Sequence, residues 1–528
     1  MALRWKRRVV PRWRASDERP VVFGSDTRQA PRPNFMQDSE TLERFDRALA
    51  DFAEFRSIGF AADAIRFATV DAFCERLVPV AKFLNSQEEA LPEKVRSDIH
   101  RILGRGLNEA NDTEAGAIDT SRRHEIHSLK QRLSLYPNNA LAWIDLARLR
   151  TSSGDNEAAR RDVLTSLGLQ PENRLVMRSA ARFFMHVGDP ERAASLLSKS
   201  PRTASDPWLL ASEISACAIA GRTSRFVKRA TELLQSGRHS AADTSELAGA
   251  LAAEHVSRGA SRKQAKKLYL LSLIAPNDNA LAQAQWAAED LDLDDRIPEV
   301  WANSSASSEA AMYRALRAGD LDEGLIRAQA WHRQEPFASR PMVAASFFAT
   351  IQGDFATASS LARIGLCAEP VNDALLNNLA FSLMCNGSIE EGVQQLRRAR
   401  RAAGTAVNPQ YIANVGLLSY LCGDPVLGSR AYENAIRQFE RTGRTEEASL
   451  ARVFHAFASQ KTNDVNSAAI AKSASDSIAK GGTPLAKAVA VRFLNSTPPP
   501  AQTLIAEPVD AAARKWFYDQ RNHLLILP

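Results

Sequence analysis

Residues 140–171 read ALAWIDLARLRTSSGDNEAARRDVLTSLGLQP, and this stretch decides the fold. Counting Ala140 as 1, Trp143, Leu146, Gly154, Ala159 and Pro171 fall at offsets 4, 7, 15, 20 and 32. The spacing predicts a helix, a tight turn and a second helix. Small residues at offsets 8 and 20, here Ala147 and Ala159, let the two helices approach closely. Glycine at 15 permits the turn, and proline at 32 ends the second helix. A unit of this kind cannot bury its own apolar face, so it requires stacked neighbours.

Those neighbours recur along the chain. Units open at Arg174 (Gly188, Ala193), near Pro207 (Gly221) and near Ser245 (Gly259, Pro276). Residues 277–304 break the pattern with Asp290, Asp292, Asp294, Asp295 and Pro298, and read as a hinge or loop. Regular units resume at Ser305 (Gly319, Pro336), Ser339 (Gly353, Ala358, Pro370), Asp373 (Leu376, Leu379, Ala380, Gly387) and Pro409 (Val415, Gly416, Gly423). Residues 445–480 read as a last, degraded unit.

This register resembles the tetratricopeptide repeat (TPR) family. The resemblance covers ~two-thirds of the chain and excludes residues 1–120. It implies an all-α, right-handed α-solenoid of about nine units over residues 121–495, whose first helices line a concave groove that holds peptides or partner proteins. Composition agrees. Hydrophobic residues make up 45% and charged residues 24%, with Ala and Leu heavily used, which favours an ordered helical protein.

Outside the array the reading is coarser. Residues 1–34 carry nine basic and three acidic side chains among Pro11, Pro20, Pro31 and Pro33, and are expected to form a mostly disordered leader. Trp5 and Trp13 interleave with its arginines, as in segments that lie on phosphates or stack on bases. The net charge of +6 sits entirely in this leader, so the body is not itself basic. Residues 35–120 are expected to hold three helices: one from Ser39 to Gly59, one from Ala61 to Leu84 with Pro79 inside it, and one after Pro92. A loop follows at 109–120. Residues 496–528 read as a Pro-rich linker and a short helix.

In the TPR family, offsets 2, 5, 6, 9 and 12 of each first helix face the groove. By that resemblance Arg148, Arg178 and Arg182 would face it together and select carboxylates, making an acidic peptide a candidate partner. Pairing with Asp145 or neighbouring glutamates is the alternative for these arginines. Asn378 and Asn414 share offset 6 in successive units and would hydrogen-bond a peptide backbone, unless they cap turns or face water. Phe347, Phe381 and Leu417 would floor the groove.

No motif for chemistry is present: the chain lacks the P-loop, dinucleotide, nucleophile-elbow and H-E-x-x-H patterns. His124 and His127 share a helix face, but no third ligand accompanies them. The five cysteines form no C-x-x-C pair. No cofactor, metal or catalytic residue is expected. No apolar run reaches the ~18 residues of a membrane span, and the cytoplasm is the expected compartment. The leading reading is a non-enzymatic scaffold that binds a protein or peptide. The alternative is a nucleic-acid-associated regulator that uses the basic leader on phosphate or another anionic surface.

Overall fold

The computed structural model describes residues 12–16, 39–67, 74–86, 99, 113–259, 261–293, 296–298, 301, 308–404 and 408–494. The protein is all-α. Residues 24–127 form one compact unit, and residues 1–23 together with 128–528 form the other.

In the smaller unit, α1 (Ser39–Phe55), α2 (Ile58–Phe67) and α3 (Cys74–Asn85) bury Phe52, Ala64, Leu77, Val80 and Leu84 against one another. The single helix expected over 61–84 is thus two, with Pro79 inside α3. The helix expected after Pro92 lies outside the described residues, apart from Ile99. The loop expected at 109–120 is instead partly helical, because α4 (Thr113–Leu135) begins there. His124 and His127 are exposed on α4.

The larger unit is a solenoid of TPR-like helix pairs. The first four pairs are α5 (Ala140–Ser152) with α6 (Asn156–Leu169), α7 (Arg174–His186) with α8 (Pro190–Lys199), α9 (Pro207–Ile219) with α10 (Val227–Gln235), and α11 (Ala241–Ser257) with α12 (Arg262–Ser272). Then comes α13 (Asp278–Leu291), a regular helix where a hinge or loop was expected; its Asn277 cap accepts from the Ala280 amide. Five more pairs follow: α14 (Ser308–Ala318) with α15 (Leu321–Gln334), α16 (Arg340–Ile351) with α17 (Phe355–Ala368), α18 (Asp373–Cys385) with α19 (Ile389–Ala402), α20 (Pro409–Leu421) with α21 (Pro425–Arg441), and α22 (Thr445–Lys461) with α23 (Ser467–Gly481). The last of these, expected as a degraded unit, keeps both helices, with Asn463 (φ +54°) where the other turns carry glycine. A single helix, α24 (Pro484–Leu494), ends the described chain.

A dipeptide explains many of the turns. Gly-Asp stands at 154–155, 188–189, 319–320, 353–354 and 423–424. Each glycine has positive φ, and each aspartate caps the following helix by accepting a backbone N–H. The first helices are more often capped by asparagine, as at Asn139, Asn173, Asn372 and Asn408.

The solenoid coils far enough for distant pairs to touch. At Gly154, φ is +78°, and a Cβ there would stand 2.8 Å from the Cys367 carbonyl oxygen. At Gly319 (φ +73°) it would stand 2.7 Å from the Pro484 oxygen. Arg492 Nε donates to the Gln352 carbonyl at 2.9 Å, and Phe355 meets Phe457. The contact of the α5–α6 turn with the end of α17 closes the first six pairs and α13 into a ring.

Candidate functional site

The inside of that ring holds a piece of the same chain. Residues 12–16 lie among side chains from α5, α7, α13 and α14 and from the loop after α15. The leader expected to be disordered therefore contributes an ordered segment; the rest of residues 1–34 lies outside the described residues. Trp13 has 0% exposure and shares a core with Ile144, Ala147, Met177 and Phe183. Its ring centroid is 5.1 Å from that of Phe337 and 6.1 Å, edge-on, from that of Phe183.

Arg12 sets the electrostatics. Its Nη2 donates to Glu309 Oε2 at 2.9 Å, while Nε lies 3.2 Å from Asp278 Oδ2 and Nη1 lies 3.3 Å from Glu335 Oε2. Three buried carboxylates, one from α13 and two from the α14–α15 unit, thus converge on one planar guanidinium. Burial opposes the Arg12 charge, but the combined field of Glu335, Asp278, Glu309 and Glu246 outweighs it and raises the pKa. Glu335 feels the reverse. Burial would raise its pKa, yet Arg12 and Arg182, with an N–H from Trp331, bring it down to about 2. Burial pushes Glu309 upward against Arg340 and Arg12. Arg340 also donates to Glu309 Oε1 at 2.9 Å and stacks on Trp286 and Trp331.

The backbone of the segment is also held. Arg148 Nε donates to the Trp13 carbonyl at 3.2 Å, and its Nη2 donates to the Gln334 carbonyl. The Ser16 amide and hydroxyl donate to Asp145 Oδ1 and Oδ2 at 2.9 and 2.5 Å. Arg14 pairs with Asp278.

The sequence-derived candidates divide into two groups. Arg148, Arg178 and Arg182 do line the ring, but they do not form a free cationic face. Arg148 is taken by Trp13 and Gln334. Arg178 pairs with Glu246 at 2.8 Å and stacks on Trp208. Arg182 stacks on Phe337 with its centre 4.8 Å from the ring centroid. Its Nε has no hydrogen-bond partner, and burial lowers its pKa despite Glu335. Charge balance is the physical reason: Asp145, Glu246, Asp278, Glu309 and Glu335 stand among these arginines, so the occupant is a basic segment rather than an acidic one.

The remaining candidates lie in packing between units. Asn378 is 3% exposed, and its Nδ2 donates to the Val343 carbonyl and to Ser346 Oγ. Asn414 is 6% exposed and donates to the Asn377 carbonyl and Oδ1. Both amides bond the preceding first helix rather than open space. Phe347 and Leu417 are buried, and Phe381 packs edge-on against Phe355 and Phe454.

Reading the sequence missed Arg12, Trp13, Asp278, Glu335 and Arg340 as site residues. A signal was present for part of the set. Asp145, Glu246 and Glu309 occupy groove-facing offsets, as the three arginines do, so the inner face was legible as mixed in charge.

No protein-family model matches the chain, and no curated protein matches it. Solved structures with some overall likeness include the human IFIT1 dimer with m7Gppp-AAAA, at 13% identity over 67% of this chain and 94% of that one, with a TM-score of 0.34. Others are the APC/C hetero-tetramer Cut9–Hcn1, at 11% identity, 91% and 94% coverage and a TM-score of 0.37, and yeast Tom70, at 12% identity, 93% and 98% coverage and a TM-score of 0.30. These likenesses are low in score, and the reading below rests on the chain's own residues.

Proposed function

We propose that this protein is a non-enzymatic scaffold whose solenoid ring holds an extended polypeptide segment from its concave side. One observation carries the reading: the ring binds residues 12–16 through a buried tryptophan, a guanidinium on three carboxylates and main-chain hydrogen bonds. These are the means by which repeat grooves grip peptides, with side-chain pockets for selectivity and backbone bonds for affinity. The partner is a protein or peptide. The nucleic-acid reading loses two of its groups, because Arg12 is spent on carboxylates and Trp13 is not exposed for base stacking.

No helix among the described residues is long and apolar enough to cross a membrane. The free cysteines of the solenoid suit a reducing compartment, and the cytoplasm is the compartment we propose. Photo-crosslinking tests the reading. A crosslinker placed at Ala282, which lines the cavity beside Arg12, should capture partner segments, whereas one on the outer face at Ile326 should not. Partner crosslinks confined to Ile326 or to α1–α4 would sink it.

A further inference from the structure

We infer that residues 12–16 are an exchangeable occupant of a recognition track for arginine–tryptophan segments, and that a partner presents such a segment in trans. The inference rests on the ring being a polypeptide-binding site and adds the ligand's chemistry and its regulation.

The track is built for that chemistry. Asp278, Glu309 and Glu335 are all buried and converge on one point. Apart from the occupant, Arg340 pairs with Glu309, and Arg182 and the Trp331 N–H act on Glu335. An occupant must therefore bring positive charge to this point. Arginine fits because its Nη2 donates to Glu309 while Nε and Nη1 stand 3.2 and 3.3 Å from Asp278 and Glu335, whereas lysine offers a single point charge. One residue further along, the pocket between Phe183 and Phe337 takes a full indole. Beyond it, Arg148 donates to a main-chain carbonyl, and Asp145 accepts an N–H and the hydroxyl beside it. The motif read from the track is Arg-Trp-x-x-Ser.

The resident segment does not satisfy the track fully. Beside Arg12 lies a small polar cavity of about 10 Å³, lined in part by Arg182, Asn279 and Gln283. Arg182 Nε, Asn279 Nδ2 and both polar atoms of Gln283 are buried there with no protein partner, and so is the Trp13 indole N–H. Unsatisfied buried donors weaken the hold of the present occupant. Its advantage is that it is tethered, which gives it an effective concentration on the order of millimolar. A segment in trans must overcome that advantage, so the leader sets the threshold for binding.

The test uses the full chain and a fluorescein-labelled peptide of its own residues 10–18, VPRWRASDE, followed by anisotropy. Wild type should bind weakly. A variant with Arg12→Gln and Ser16→Ala, which loosens the leader but keeps Trp13, should bind at least ~tenfold more tightly. Peptides with Arg→Lys at the first arginine or Trp→Ala should lose that gain, as should Glu335→Gln in the receptor. In wild type, excess unlabelled peptide should also raise the labelling of Trp13 by hydroxyl radicals, a readout that does not depend on any variant folding. If the loosened variant binds a scrambled peptide equally well, the ring still holds polypeptides but the arginine–tryptophan selectivity is overturned. If no peptide binds the folded variant and Trp13 labelling never rises, the segment is a permanent strap, and both the exchange and the polypeptide-binding reading fall. Leaders swapped between two copies, seen as a concentration-dependent dimer that peptide cannot dissociate, would likewise overturn a partner in trans.

Discussion

The inner positions of residues 140–340 carry charge, whereas those of residues 373–461 carry amides, hydroxyls and rings. Both regions use the same helix pairs and the same turns. In the first, Asp145, Arg148, Arg178, Arg182, Glu246, Asp278, Glu309 and Glu335 face inward, and a segment of the leader completes their pairing. In the second, Asn378 and Asn414 bond the neighbouring first helix, Ser382 Oγ donates to Asn378 O, and Phe381 packs on Phe454 and so, through it, on Phe493. Polar groups on a buried face need partners. The second region finds many of them between adjacent repeats, although Gln410 Nε2 and the Tyr411 and Tyr432 hydroxyls are left without one; the first finds some of them in a segment of chain more than a hundred residues away. The difference is why the proposed binding face is placed on residues 140–340.

The largest expected effect comes from removing the occupant's anchor. Trp13→Ala should cost about 3–5 kcal/mol, the range for deleting a core aromatic, and should lower the thermal midpoint, as Phe381→Ala should in the other region. A silent Trp13→Ala would erase the distinction between the two regions, because it would mean that the leader is not docked.

Acid should strain both regions through one buried histidine each. Burial and then Arg182 bring His186 down to about 4, and burial brings His455 down to about 4 beside Tyr420 and Tyr432. Both are neutral when folded and take up a proton near pH 6.5 when unfolded. Stability is therefore lost as pH falls from about 6.5 towards 4, by on the order of 1–3 kcal/mol per histidine. His455→Asn should flatten part of that slope. An unchanged slope in the variant would show that His455 titrates freely in the fold.

Ring closure can be weighed with two glycines of equal φ. Gly154 and Gly188 both sit at +78°, but only at Gly154 would a Cβ meet another part of the solenoid. Gly→Ala should cost roughly 1–2 kcal/mol at either for the left-handed backbone, with a further loss at Gly154 alone. Equal midpoints for the two variants would remove the contact with α17.

The smallest effect concerns the asparagines. Asn378→Ala should cost roughly 1–2 kcal/mol by stripping hydrogen bonds between α18 and α16, and should leave partner affinity unchanged. A loss of affinity with no loss of stability would restore these amides to a peptide-binding role.

Most of the fold was legible because its causes are local. Gly154, Ala147 and Pro171 act within one unit, and the repetition makes the signal strong. Two stretches were harder to read: Asp292 to Pro298 disturb the pattern after a helix that Asn277 had already capped, and residues 445–480 keep the small Ala456 and Ala468 but carry Asn463 where the other turns have glycine. The site was less legible because it joins residues with no fixed spacing. Arg12 and Glu309 are 297 positions apart, and nothing in either neighbourhood specifies the other. Arg178 takes the glutamate pairing that the sequence offered as the alternative, but which glutamate was not legible, since offsets place side chains on a face without saying what stands opposite. Asn378 and Asn414 show the same limit, because offset 6 can point at a neighbouring helix as readily as at a ligand.

The docking of residues 12–16 can be measured directly by hydroxyl-radical footprinting of the intact protein, with Trp13 compared against the fully buried Trp331. Indole rings are highly reactive, so protection reports burial. The account predicts that Trp13 is modified as slowly as Trp331 in the native protein and becomes reactive only on unfolding or on displacement by an Arg-Trp peptide. Native-state modification of Trp13 at the rate of the unfolded chain would contradict it.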